Sequence, residues 1–155
     1  MIIINTPNLV IDIRNNGGGN DSSYSALLPI LYTNTIREVG VGFYSTKLNN
    51  QILYDFLISP EANPTEASKQ WAKEAYDKLS NQLGTYVNLH EKEIITTEYD
   101  TIYEYPKNIG IIINDNNVST AEQFLLAAKQ SKKVKLYGTT TKGALDISNI
   151  IATKS

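Results

Sequence analysis

Four short segments of the chain have the hydrophobic pattern of β-strands. Residues 9–14 and 38–44 alternate between apolar and other side chains, which predicts strands with one apolar face. Residues 109–113 are densely apolar and predict a further strand, and residues 134–137 predict a short one. The first strand carries Leu9, Ile11 and Ile13 on one face and Val10, Asp12 and Arg14 on the other.

The segment 63–84 has the strongest helix signals. Asn63 is a capping residue, Pro64 suits the first helical position, and Glu66 stands three residues after the cap. The helix is expected to run to about Leu83, where Gly84 ends it. Its buried stripe is expected to contain Ala67, Trp71, Ala75, Leu79 and Leu83, flanked by Ala72 and Tyr76.

Two further helices are expected, over residues 22–32 with an interruption at Pro29 and over residues 119–130. The pattern of residues 45–62 is ambiguous, and residues 85–105 predict two strands or an extended excursion. Strands alternating with helices indicate an α/β domain with a largely parallel sheet. Ligands bind such sheets beyond the carboxyl ends of the strands, where both the 17–19 glycine loop and Ser119 are expected.

Composition narrows the function classes. The 155 residues carry a net charge of -2 and fit one domain. The charge distribution does not indicate nucleic-acid binding, because the only basic cluster lies at the end of the 119–130 helix, where the helix dipole favours cations. This cluster comprises Lys129, Lys132, Lys133 and Lys135. With no cysteine, the chain has neither disulfides nor a thiolate metal site, and its redox compartment stays undetermined. No apolar run approaches the roughly 20 residues of a membrane span.

Ser119 has two interpretations that do not exclude each other. Ser119 and Glu122 form a Ser-x-x-Glu pattern before an apolar run, which is typical of a helix capping box. A serine hydroxyl at the positive end of a helix dipole, just past a sheet, is also a candidate nucleophile. The spacing alone does not separate the two.

The glycines at 17–19 also leave alternatives open. They suit a flexible turn, or an oxyanion hole in which unobstructed backbone N–H groups face one point. A dinucleotide-binding loop lacks its third glycine, because Ser22 stands there, and no Gly-Lys-Ser/Thr follows for a phosphate-binding loop.

The remaining candidates favour structural roles. His90 is the single histidine and lies in a polar stretch, so we expect it to be solvated. Asp12 and Arg14 share a strand face and are expected to form a salt bridge or to order the glycine loop. With one histidine, no cysteine and no suitably spaced carboxylates, neither a metal nor another cofactor is expected.

Three ordered motifs together resemble those of the C-terminal processing (tail-specific) serine peptidases. The first is similar to their Asp-x-Arg-x-Asn-x-Gly-Gly element and runs Asp12-Ile13-Arg14-Asn15-Asn16-Gly17-Gly18-Gly19. The second motif contains Ser119-Thr120-Ala121-Glu122 and resembles the nucleophile region of these peptidases. The third is similar to their Gly-x-x-Thr-x-Gly loop and runs Gly138-Thr139-Thr140-Thr141-Lys142-Gly143. The resemblance implies a ClpP/crotonase-like spiral of ββα units with a helical insert around residues 63–84.

The resemblance also implies roles for single residues. Ser119 matches the nucleophile, and the N–H groups of Gly18 and Thr120 match the oxyanion hole. Ser-Lys members carry their base lysine directly after the last glycine of the third motif, where this chain has Ala144. Lys142 would have to shift to replace that lysine, and Asp146 is a candidate to orient a base or a loop.

The missing lysine places the chain closer to the lysine-free branch, which includes the tricorn core and the retinoid-binding proteins. That branch takes its histidine from an upstream strand. We therefore expect residues 1–155 to be a single but incomplete peptidase core domain, whose parent has an upstream part that is absent here. The chain by itself would then have little or no activity.

The function expected from this resemblance is that of a serine endopeptidase acting on peptides or proteins. The alternatives are a non-catalytic relative that binds peptide or an apolar ligand, and a crotonase-type acyl enzyme. Relatives are commonly exported, so the parent is a candidate for the periplasm or cell envelope. The oligomeric state stays open.

Overall fold

The computed structural model describes residues 5–90 and 92–145. Its strands are β1 (Asn8–Asp12), β2 (Ile36–Val39), β3 (Gly42–Tyr44), β4 (Tyr86–Asn88), β5 (Ile94–Thr97), β6 (Asn108–Ile113) and β7 (Val134–Gly138). Its α-helices are α1 (Leu28–Leu31), α2 (Lys47–Ile58), α3 (Glu66–Ser80) and α4 (Thr120–Ala128). Short 3-10 helices span Asp21–Tyr24 and Pro60–Ala62.

The described chain divides into two compact units. Residues 38–95 form unit 2, and the chain before and after them forms unit 1. Strands β2 and β5, which pair with each other, contain the two points at which the chain passes between the units.

Unit 1 is built on a three-stranded parallel sheet in the order β1-β6-β7. Its central strand β6 is the most apolar one, with Ile109 and Ile111 almost fully buried. Helix α4 packs Phe124, Leu125 and two alanines into the same core. The predicted α/β fold class with a parallel sheet is confirmed.

Unit 2 consists of the antiparallel pair β3–β4 and the packed helices α2 and α3. Its small core contains Ala75 and Leu79 of α3 together with Val87 and Leu89. Buried Ser45 and Asn50 hydrogen-bond to each other there, and the Ser45 hydroxyl also lies 2.7 Å from the carbonyl oxygen of Leu79.

The single strand predicted over residues 38–44 is wrong, because it is split into β2 and β3. The residues between them, Gly40 and Val41, leave the strand conformation. Val39 and Val41 are exposed, at 75% and 62%, so the alternation did not mark a buried face.

The helix predicted over residues 22–32 is also two separate pieces, the 3-10 helix Asp21–Tyr24 and α1. Pro29 does not interrupt a helix but lies in the first turn of α1, where its missing N–H costs no hydrogen bond. The break therefore precedes the proline.

The helix of the 63–84 insert begins and ends inside its predicted bounds. Thr65 is the N-cap, with its hydroxyl oxygen accepting from Ser68 N at 3.1 Å, whereas Asn63 has a left-handed φ of 45°. Helix α3 ends at Ser80, three residues before Leu83. The buried stripe contains Ala72, Ala75 and Leu79. The rest of the predicted stripe is exposed and comprises Ala67, Trp71 and Leu83.

Candidate active site

The two loops singled out by sequence leave the same edge of the unit 1 sheet. Strands β1 and β6 are parallel neighbours, with Ile11 paired to Ile111 and Asp12 to Ile112. Their carboxyl ends therefore lie side by side, and the 17–19 turn follows one end while Ser119 follows the other. Asp12 and Arg14 form the expected salt bridge beside them, at 2.7 Å.

Gly18 packs directly against the backbone at Ser119. A Cβ at position 18 would lie 2.8 Å from the carbonyl oxygen of Val118, 2.9 Å from Ser119 Cβ and 3.2 Å from Thr120 N. Gly18 also has a φ of 96°, which strains any L side chain. Only glycine fits here, and its absence of a side chain brings the two loops into contact.

Ser119 is half-buried and has a strained backbone. Its φ of 56° and ψ of -123° are rare for a residue other than glycine, and such a conformation costs about 1–3 kcal/mol. A strained serine in a sharp turn between a strand and a helix is also the geometry of known serine nucleophiles. Here the turn joins β6 to α4.

The capping box is formed mainly through Glu122. Ser119 and Glu122 have the arrangement of a capping box, and Ser119 N donates to Glu122 Oε2 at 3.1 Å. Glu122 N donates to the carbonyl oxygen of Ser119 at 2.7 Å. The capping box predicted from the Ser-x-x-Glu pattern is therefore present, and the bond from Ser119 N runs to the Glu122 carboxylate.

The backbone N–H of Gly18 is already engaged. It donates to Asn16 Oδ1 at 2.9 Å, an Asx turn that shapes the glycine loop. Any ligand oxygen that is to accept from Gly18 must displace the Asn16 side chain. Thr120 N, the second expected donor, lies in the first turn of α4, where helix N–H groups lack an intrahelical partner.

The side chain of Thr120 holds the segment after the glycines. Its hydroxyl lies 2.6 Å from Asp21 Oδ1 and 2.9 Å from the carbonyl oxygen of Gly19. With its amide nitrogen turned toward Asp21, Gln123 donates to the same carboxylate at 2.8 and 2.9 Å. Asp21 thus ties the glycine loop to the first turn of α4.

Glu122 joins the third motif to the other two. Its buried carboxylate accepts from the Thr141 hydroxyl at 2.6 Å, from Gly143 N at 2.7 Å and from Ala144 N at 3.0 Å. The loop starts at Gly138, where a Cβ would lie 2.0 Å from the carbonyl oxygen of Ile113. Glycine is therefore required at this end of β7 as well.

These hydrogen bonds change the acidity of Glu122. Burial by itself raises the pKa of the carboxyl group, but the donors Thr141, Gly143, Ala144 and Ser119 stabilise the ionised form. Together they hold the pKa of Glu122 below its usual value. The carboxylate is charged at neutral pH and acts as an acceptor only.

The two candidate bases that the structure describes, Lys142 and His90, are both exposed. Lys142 is exposed, and its backbone N–H donates to the carbonyl oxygen of Asn117 at 3.0 Å. His90 is exposed in unit 2, where its backbone N–H donates to Asn88 Oδ1 at 2.8 Å. Asp146 lies outside the described residues.

Within residues 5–90 and 92–145, no three His, Cys, Asp or Glu side chains cluster as metal ligands, and no helix could cross a bilayer.

Sequence reasoning found the residues around Ser119 but missed three of their links. It interprets Glu122 only as part of the helix cap, whereas the Glu122 carboxylate also accepts hydrogen bonds from Thr141, Gly143 and Ala144. It singled out neither Asp21 nor Asn117, because polar residues between predicted elements resemble ordinary loop residues.

Comparison with known proteins identifies a family and two similar folds for this chain. The model of peptidase family S41 matches residues 3–155. A search of curated proteins finds no match. Two solved structures share the fold, at 12% identity for a candidate peptidase from Parabacteroides merdae and 22% for mature CPAF in complex with lactacystin. Their TM-scores are 0.50 and 0.59, over 90% and 92% of this chain.

The chain corresponds to 32% of the length of each of these two proteins. Identities this low speak for the fold alone, whereas the family model spans nearly all of the sequence. The resemblance to C-terminal processing peptidases is confirmed at family level, and the placement in the lysine-free branch stays a prediction. The chain belongs to peptidase family S41.

Proposed function

We propose that this chain is the core of a serine endopeptidase in which Ser119 is the nucleophile. The N–H groups of Gly18 and Thr120 form the oxyanion hole. The observation that carries the proposal is the contact of Gly18 with Ser119 and Thr120, because a Cβ at position 18 would lie 2.9 Å from Ser119 Cβ and 3.2 Å from Thr120 N. A hydroxyl and two backbone donors thus belong to one small region at the sheet edge.

The chemistry follows from this placement. Ser119 Oγ bonds to the carbonyl carbon of a peptide, its proton passes to a base, and the carbonyl electron pair moves onto oxygen. The N–H groups of Gly18 and Thr120 stabilise the resulting oxyanion, for which Asn16 Oδ1 must first leave Gly18. The C–N bond then breaks, the amine leaves with a proton, and water hydrolyses the acyl-enzyme. Loss of one oxyanion donor typically lowers the rate by about 10²–10³-fold.

The three motifs do not supply an evident base for Ser119. A serine hydroxyl needs an adjacent base near neutral pH. Ala144 stands where Ser-Lys members carry lysine, and Lys142 is exposed. We therefore propose that the base comes from another part of the parent protein, so that residues 1–155 alone turn over little or no substrate.

A fluorophosphonate probe tests the nucleophile, and hydrolysis of an unstructured peptide tests turnover. Both are measured on the 155-residue chain and on the parent protein, each with Ser119→Ala as the control. We expect Ser119-dependent labelling and cleavage by the parent and little of either by the chain. Equal labelling of the parent and its Ser119→Ala variant would contradict the role of Ser119. Robust Ser119-dependent cleavage by the chain would instead favour Lys142 as the base.

One observation favours a non-catalytic, ligand-binding relative as the second candidate. The proposed oxyanion donor Gly18 is satisfied by Asn16 within the chain, as in a loop that does not await a substrate oxygen. A parent that binds unstructured peptide but neither cleaves it nor reacts with the probe would support this alternative.

A further inference from the structure

Asn117 connects both loops of the proposed site through its side chain. It lies two residues before Ser119 and is completely buried. Its Nδ2 donates to the carbonyl oxygens of Ile13 and, at 3.3 Å, Asn16. Its Oδ1 accepts from Asn114 N at 2.8 Å. One side chain therefore joins the end of β6 to the chain that leads into the glycine turn.

The backbone of Asn117 reaches the third loop. Its carbonyl oxygen accepts from Lys142 N at 3.0 Å, in the loop that follows β7. The next residue strengthens the same junction, because Val118 N donates to the carbonyl oxygen of Asn16 at 3.3 Å. The segments that carry Gly18, Ser119 and Gly143 thus meet at Asn117.

The contacts of Asn117 require an amide. Two carbonyl oxygens face its nitrogen and one N–H faces its oxygen, which matches the donor and acceptor sides of asparagine. An ionised aspartate would place an oxygen against both carbonyl groups. An apolar residue would leave those carbonyls and the N–H of Asn114 without this partner.

We propose that Asn117 is the positioning residue that sets Gly18 and Thr120 relative to Ser119. This rests on the proposed function. Asn117 touches no substrate and acts through the carbonyl oxygens of Ile13 and Asn16, which fix the start of the glycine turn. A displacement of about 1 Å in such a site lowers the reaction rate roughly 10²-fold.

The test uses Asn117→Asp and reads the amide NMR resonances of Gly18 and Thr120, which require no turnover. At pH 7 we expect both resonances to move from their wild-type positions. As the pH is lowered and the new carboxyl group is protonated, its hydroxyl can donate to one carbonyl oxygen, so both should return toward wild type. Asn50→Asp is the matched control, because Asn50 is a buried amide in unit 2. It should leave both resonances unchanged.

A second variant covers the case in which Asn117→Asp fails to fold. Asn117→Ala removes the side chain but keeps the carbonyl group that accepts from Lys142 N. It should move the resonances of Gly18 and Thr120 and leave that of Lys142 in place. Wild-type positions for Gly18 and Thr120 in either folded variant at pH 7 would overturn the proposal. So would an equal displacement in Asn50→Asp.

Reaction of the parent protein with a fluorophosphonate separates this proposal from the proposed function. We expect Asn117→Ala to lower the maximal labelling rate of Ser119 roughly 10²-fold at an unchanged half-saturating probe concentration. If wild-type Ser119 does not react while the resonances behave as expected, the peptidase proposal fails and the positioning role of Asn117 stands. An unchanged labelling rate in a reactive parent overturns the positioning role.

Discussion

The Thr141 hydroxyl donates to Glu122 Oε1 across 2.6 Å, and this bond joins the loop after β7 to the first turn of α4. The same carboxylate accepts from Ala144 N at 3.0 Å. Ser-Lys members of the family carry their base lysine at the position of Ala144. Glu122 therefore holds in place the segment in which such a base would stand, although this chain has no lysine there.

Replacing Glu122 by glutamine should destabilise unit 1. A glutamine keeps one acceptor oxygen, so its NH2 group would face one of the two donor pairs, either Thr141 with Gly143 or Ser119 with Ala144. Those buried donors would lose their partner, at a cost of about 1–3 kcal/mol in the free energy of unfolding. Denaturant unfolding measures the change. Glu66→Gln is the control, since Glu66 is an exposed first-turn glutamate that forms an ion pair with Lys69. Equal losses in both variants would contradict the role given to Glu122.

The lowered pKa of Glu122 predicts sensitivity to acid. A carboxyl group whose pKa is lower in the folded than in the unfolded state stabilises the fold fully above its unfolded value, here 4.5. That contribution is lost as the pH falls from 4.5 through the lower folded pKa. The stability difference between wild type and Glu122→Gln should therefore shrink over this range, measured by denaturant unfolding at several pH values. A difference that stays constant down to pH 2 would argue against the assignment.

The sequence predicts the fold best in unit 1, where the hydrophobic positions of the strands are side chains buried between the sheet and its helices. Strands β1 and β6 follow the expected segments, because their apolar side chains pack against α4 and α1. In unit 2 the strands β3 and β4 are short, and tertiary contacts decide which face of each helix is buried. The stripe of α3 is set by packing against α2 and β4, which the isolated helix pattern of Ala67 and Trp71 does not contain.

The site was predictable only through its local motifs. The Gly18 and Ser119 segments could be identified because each follows a strand and has a recognisable composition. The links made by Asn117 and Asp21 join residues about 100 positions apart in sequence, such as Asn117 to Asn16 and Asp21 to Thr120. No periodicity within one element encodes such pairs, because only the folded chain brings these residues together.

Adjacent glycines provide a direct test of the close contact at Ser119. Gly18→Ala would place a Cβ 2.8 Å from the carbonyl oxygen of Val118 on a residue with φ 96°, so we expect a loss of about 1–3 kcal/mol of stability. Gly17→Ala is the matched control, because nothing lies within 4 Å of its added Cβ. Thermal unfolding of both variants measures the difference. Equal stability would mean that the glycine turn does not pack against Ser119 as described.

Asn16→Ala tests whether the Asn16 side chain covers the proposed oxyanion donor. The variant removes Oδ1 but keeps the carbonyl group that accepts from Asn117 and Val118, so the loop retains its anchor. We expect amide hydrogen exchange at Gly18 to become about tenfold faster, as a lost hydrogen bond of about 1.4 kcal/mol would allow. Asn20→Ala, which releases Ser22 N instead, should leave Gly18 unchanged. Unaltered exchange in Asn16→Ala would show that Gly18 is protected by another group.

The strain at Ser119 predicts that glycine is more stable than alanine at this position. Glycine adopts a φ of 56° and a ψ of -123° without a Cβ penalty, whereas alanine keeps the strain of the native residue. We expect Ser119→Gly to exceed Ser119→Ala by about 1 kcal/mol in the free energy of unfolding, after the entropy cost of glycine. The matched pair at Ser68, inside helix α3, should show the opposite order by about 0.5–1 kcal/mol. The same order at both positions would mean that Ser119 is not strained, and would remove one of the supports for its role as nucleophile.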